Sequence, residues 1–173
     1  MINRFTNFLN NIAESLDTPE KVEYIEQNND KWLCNFFINN IEYRIEILSL
    51  DPALTLCYGV KFYIYDNGNK IYQKTENNND KNSKMVFATV KFVCNNFITD
   101  VSPNCLFFYC SDDNQARKFI YMNYCDLVTI NNKEYSYIEN DRFKRPLFLL
   151  YKTTFNVMDV VKWLITTKNT FII

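Results

Sequence analysis

The stretch FFYCSDDNQARKFIYMNY, residues 107–124, decides whether the chain is all-β or mixed. With its lead-in it contains NCLFFYC, an apolar run without alternation, the pattern of a strand covered on both faces. The run stops at Asp112-Asp113. Beyond it, Ala116, Ile120 and Tyr124 recur every fourth residue, the spacing of one helix face. A strand therefore hands over to a helix at about 113–125, and the fold class that follows is α+β.

Upstream, the sequence alternates. In IEYRIEIL, residues 41–48, Ile41, Tyr43, Ile45 and Ile47 alternate with Glu42, Arg44 and Glu46, as in a strand with one wet face. KVEYIEQ and KWLCNFFI precede it as strands. Asn39-Asn40 suits a tight turn, because Asn tolerates positive φ. LTLCYGVKFYIYDNGNKIYQK reads as a second hairpin, turning at Asn67-Gly68, with Leu56, Tyr58, Val60, Phe62 and Ile64 on one face. Before all of these, Ile2, Phe5, Phe8, Leu9, Ile12 and Leu16 form a helical stripe that the DTPE segment stops.

Residues 76–83, ENNNDKNS, are expected to be a polar loop marking the seam between an antiparallel half and a mixed half of one domain. Val86, Val90, Val93, Cys94 and Phe97 then recur at helix spacing until Pro103. KEYSYIE and RPLFLLYK make a further strand pair. Val157, Val160, Val161 and Leu164 stripe a last helix, with Trp163 on the same side or at its edge. The expected architecture is one domain over 1–173. An antiparallel β-meander is followed by a helix-strand-helix-hairpin-helix half, with the helices covering one face of a shared sheet.

Composition narrows the function. The chain has 173 residues, 47% of them apolar and 17% aromatic, enough to fold without staples and too aromatic for disorder. Net charge is −1, which gives no electrostatic footprint for nucleic acid or an acidic membrane. Residues 1–50 carry 4 Lys/Arg against 8 Asp/Glu and the rest 15 against 12, a mild polarity of −4 and +3. With 25 Asn and two Gly, Asn must take over turn positions. The same excess of Asn, with Lys, Ile, Tyr and Phe, fits an AT-rich genome.

The six Cys form no C-x-x-C, and the chain has no His, so common zinc spacings and Cys–His or Ser–His catalysis are out. Several Cys sit in apolar runs, where a thiol behaves as a small hydrophobe. The N-terminus lacks the apolar core of a signal peptide, there is no N-x-S/T sequon, and no apolar run spans a bilayer. The expectation is a cytoplasmic protein with six free thiols.

Three candidate sites remain. Asp112 with Gln115 has capping-box spacing, and a carboxylate at a helix N-terminus needs no ligand to explain it. Asp112 and Asp113 at a strand end would also suit Mg²⁺ beside a phosphate that Arg117 steadies, although no Gly-rich loop precedes them. Arg117 and Tyr121 share a helix face, either as a structural cation–π pair or as part of a binding surface. NDRFKRP, 140–146, surrounds Phe143 with Arg142, Lys144 and Arg145, as in a single-strand nucleic-acid contact or in a solvated loop. Ser83-Lys84 is formally a Ser–Lys pair, but it lacks a strained elbow.

From residue 84 to 124 the order is an apolar helix opening with ATV, an aromatic exit, Pro103, the strand CLFFY, a polar turn and then ARKFIY. Over about 84–152 this resembles a family of small uncharacterised α+β proteins of Bacteroidota and their phages and mobile elements. The resemblance implies a low-GC bacterium or its phage as host, with Arg117 and Tyr121 standing where that family has a similar Arg and aromatic. The functional expectation is a non-catalytic, protein-binding accessory protein without metal or cofactor, using Arg117, Tyr121, Asp112 and Asp113. The alternatives are a small enzyme or ligand-binding domain at Asp112, Asp113 and Arg117, and a nucleic-acid-linked regulator at Arg142, Lys144 and Arg145.

Overall fold

Asparagine takes the positions that glycine usually fills. Asn39 and Asn40 have φ of 50° and 64°, and Asn67 and Gly68 have 48° and 85°. A two-residue connection with positive φ at both centres matches the twist of antiparallel strands. The structure, a computed structural model, describes residues 18–71, 80–109, 115–140 and 147–166, without the side chains of 80–83, 109, 115–120 and 140. The helix expected at 2–16 lies outside the described residues.

In chain order the elements are β1 (Glu23–Gln27), β2 (Lys31–Ile38), β3 (Ile41–Ser49), β4 (Cys57–Asp66), β5 (Asn69–Ile71), α1 (Asp80–Val101), β6 (Cys105–Tyr109), α2 (Gln115–Asn131), β7 (Tyr135–Asn140), β8 (Leu147–Lys152) and α3 (Val157–Thr166). This is an α+β protein with an antiparallel meander first. The chain divides into two compact units, one of Met1–Ile47 with Lys61–Val101, the other of Leu48–Val60 with Ser102–Ile173. The divisions fall near residues 47, 60 and 101 rather than at 76–83.

In the first unit the strand order is β1-β2-β3-β4, with β5 on β4. Helix α1 packs on one face of it. Trp32 meets Phe97 edge-on at 5.0 Å, Phe62 meets Phe87 at 5.9 Å, and Tyr24 meets Trp32 at 5.6 Å. The expected stripe is buried, with Val93, Cys94 and Phe97 almost fully so. Residues 80–83 open α1 instead of belonging to a loop: the polar first turn of a helix resembles loop sequence. At the other end, Ser102 takes φ of 50° and Pro103 follows, so a left-handed residue and a missing N–H stop the helix.

In the second unit the order is β4-β6-β8-β7. β4 and β6 run parallel, while β6–β8 and β7–β8 are antiparallel. Helices lie on both faces here, not on one as expected. Phe108 packs on Tyr121 and Tyr124 of α2. On the alternate positions, Cys57, Cys105, Phe107, Leu147 and Leu149 pack with Val160 of α3. The uninterrupted apolar β6 requires that double cover. Helix α2 runs to Asn131, beyond the expected 125, because Tyr121, Tyr124, Cys125 and Val128 continue one buried stripe. Trp163 packs at the margin of the α3 core, and its Nε1 donates to Asp51 Oδ2 at 3.0 Å.

The Tyr135 hydroxyl donates to the Pro103 carbonyl at 2.8 Å. Burial lifts its pKa from 10.0 to about 12, against a smaller lowering by Ser102. A tyrosine that holds its proton longer when folded loses stability as pH rises from its unfolded to its folded pKa, here from 10.0 to about 12. Tyr135→Phe should flatten that part of the alkaline slope in urea melts, and at pH 7 it should lose about 1 kcal/mol for the missing bond. An unchanged slope would remove Tyr135 from the alkaline transition.

Candidate functional site

The wet face of β3 is more ordered than its alternation announces. Tyr43, Ile45 and Ile47 are buried, with Phe36 stacked on Tyr43 at 5.4 Å. Glu42, Arg44 and Glu46 alternate with them. Arg44 Nε donates to Glu42 Oε1 at 2.7 Å, and its guanidinium carbon lies 3.2 Å from the Tyr65 ring centroid. Burial alone would lower the Arg44 pKa, but Glu42, Tyr65 and Tyr63 hold it above its ordinary value.

A second pair repeats the theme one step along. Lys70 Nζ donates to both Glu46 oxygens, at 2.8 and 3.0 Å, and stands 4.9 Å from the Tyr63 ring centroid. Glu46 is only 6% exposed. Burial lowers the pKa of Lys61 beside this pair, with Glu46 opposing and Lys70 adding to the effect. The turns set the alignment. Tyr65 is the register partner of Lys70 across the Asn67-Gly68 turn. The two-residue Asn39-Asn40 turn sets Asn35 opposite Arg44 and Phe37 opposite Glu42. Asn35 Nδ2 reaches Glu42 Oε1 at 3.5 Å, and Phe37 is 52% exposed.

Chemically, this face offers a fixed pattern: two cations, each held by a carboxylate and laid against a tyrosine, beside an exposed phenylalanine. Among the described residues, no group of three or more Cys, Asp or Glu could hold a metal ion. No helix among them is long and apolar enough to cross a membrane. Sequence reading passed over this face because Tyr63 and Tyr65 alternate with Phe62 and Ile64, which leaves no polar period. The signal was the pair of two-residue turns, which fix cross-strand partners.

The residues singled out from sequence fall differently. Tyr121 is 3% exposed, its ring 5.3 Å from that of Phe108 and 6.1 Å from that of Phe148. The expectation of Tyr121 on a binding surface is corrected accordingly, since it belongs to the buried stripe of α2. Arg117 lies in α2 by its backbone, and its side chain is outside the description. Asp112, Asp113, Arg142, Lys144 and Arg145 lie outside the described residues. Ser83 and Lys84 sit in α1 rather than in a loop. No family model, no curated protein and no solved structure matches the chain.

Proposed function

We propose that the chain is a non-catalytic accessory protein that works by binding a protein partner, in the cytoplasm of a low-GC bacterium or of a cell carrying its phage. The contact surface in this reading is the β2–β5 face with Phe37, Arg44 and Tyr65. The supporting observation is the exposed Phe37 beside an arginine already stacked on a tyrosine and held by Glu42. Arginine and aromatic residues are enriched at interface centres, and side chains ordered before binding lose less entropy on contact. The five described cysteines are buried and none is in a disulfide, which suits a reducing compartment.

The test is capture from host lysate by wild type, Phe37→Ala and Arg44→Ala, with thermal melts of the same preparations. A hot-spot loss of about 2 kcal/mol weakens binding by roughly 30-fold. Phe37→Ala, at an exposed position, should move stability by no more than about 0.5 kcal/mol, and Arg44→Ala, which removes a partly buried cation from Glu42 and Tyr65, by about 1–2 kcal/mol. A protein recovered with wild type and lost with both variants, with Phe37→Ala melting near wild type, supports the reading. Equal recovery by all three, or losses that only track melting, overturns it.

A further inference from the structure

We propose that Cys57 and Cys105 form a dithiol–disulfide couple whose oxidant is a peroxide. The two residues are register partners at the starts of the parallel strands β4 and β6. Register partners point to the same face, and neighbouring strands run about 4.8 Å apart, inside the Cα range that a disulfide spans. Both side chains are 0% exposed and belong to the core under α3. Both pack in one buried cluster with Phe107, Leu149 and Val160. No disulfide joins them in this structure.

The partners are unequal. The hydrogen bond from Cys105 lowers the Cys57 pKa against the opposing effect of burial. The same bond, with burial added, raises Cys105 well above its ordinary value. Among the other described thiols, burial pushes Cys34 up to about 12 and also raises Cys125. Within the pair, Cys57 is the sulfur with more thiolate character, and Cys105 is its resolving partner.

The turn that leads into Cys57 lies at the surface. The Cys57 thiol donates to the Thr55 carbonyl at 3.5 Å, so that bond must break before the thiolate forms, and Thr55 and Leu56 are both exposed. Leu56 has φ of 55°, a strained conformation for a leucine. It does not lie on the strand face expected from sequence. The turn is tied down by Asn104, whose N donates to the Leu56 carbonyl at 2.8 Å and whose Nδ2 donates to that of Thr55 at 3.0 Å. The proposed reaction requires release of this turn, since Cys57 is 0% exposed while it is closed.

The chemistry balances. The Cys57 thiolate attacks one peroxide oxygen, the O–O bond breaks, and the leaving oxygen takes a proton to give an alcohol, or water from hydrogen peroxide. Cys57 is then a sulfenic acid. Cys105 sulfur displaces its hydroxyl group, the S–S bond forms, and hydroxide leaves as water with the Cys105 proton. The two sulfurs lose two electrons, and the two peroxide oxygens gain them.

The experiment treats the reduced full chain with one equivalent of hydrogen peroxide well below its melting temperature. Remaining thiols are alkylated, and the peptides are mapped by mass spectrometry without reduction. The expected result is a Cys57–Cys105 link, a fall from six to four thiols in the denatured protein, and full recovery with reduced glutathione. Cys57→Ser should leave Cys105 as a thiol under the same treatment. Six thiols retained in wild type, a link to Cys125 instead, or sulfinic acid without a link overturns the proposal, and none of these needs a variant that folds.

Discussion

Tyr121→Ala should lower stability by about 3–5 kcal/mol, the range for removing a buried aromatic ring. For a chain of this size the melting temperature would fall by on the order of 10 °C. The magnitude follows from position. The ring packs against Phe108 and Phe148, both 0% exposed, in a core that also holds Leu106 and Leu150. Alanine leaves a cavity that two rigid strands cannot collapse into. Tyr121→Phe keeps the ring and most of the stability. Thermal and urea melts of both variants check this. Were Tyr121→Ala to melt like wild type while losing a partner, the ring would belong to an interface after all, and the packing described for α2 would be wrong.

How much was legible depended on what each residue's period could carry. β3 was plain because charge alternates with isoleucine, and the two hairpins were plain because Asn-Asn and Asn-Gly admit few other backbones. β6 was read as covered on both faces, yet the helices were expected on one face only. Those two expectations conflict, and the strand was the better guide: α3 supplies the second cover through Val160. The start of α1 was hidden because Asp80, Lys81, Asn82 and Ser83 bring no apolar residue to the first turn. Tyr121 was misplaced for a subtler reason. Counting by fours from Ala116 selects Ile120 and Tyr124, whereas the buried stripe of a helix is wide enough to include residue 121 as well. The charged face of β3–β5 was invisible as a site because cation–tyrosine pairing across strands leaves no mark along any single strand.

The Glu46–Lys70 pair allows a sharper separation of structure from recognition. Glu46 has an 8% exposed side chain, so its carboxylate depends on Lys70 and on the neighbouring Lys61. Removing one partner of a fully buried pair costs about 3–5 kcal/mol. Lys70 is 43% exposed, so solvent screens part of the interaction, and Lys70→Ala should cost about 2 kcal/mol. Lys70→Met retains the stem over Tyr63 and tells lost packing from lost charge. Replacing both residues, Glu46→Leu with Lys70→Leu, should return stability to within about 1 kcal/mol of wild type, because no carboxylate is then left without its cation. Urea melts of the single and double variants measure the coupling directly. If Lys70→Ala melts no lower than the double variant, the pair is an ordinary surface contact, and Glu46 is not held by it. If the double variant is stable yet fails to capture the partner that wild type captures, the fixed charge pattern is a recognition feature. A stable double variant that captures it normally confines recognition to Phe37 and Arg44.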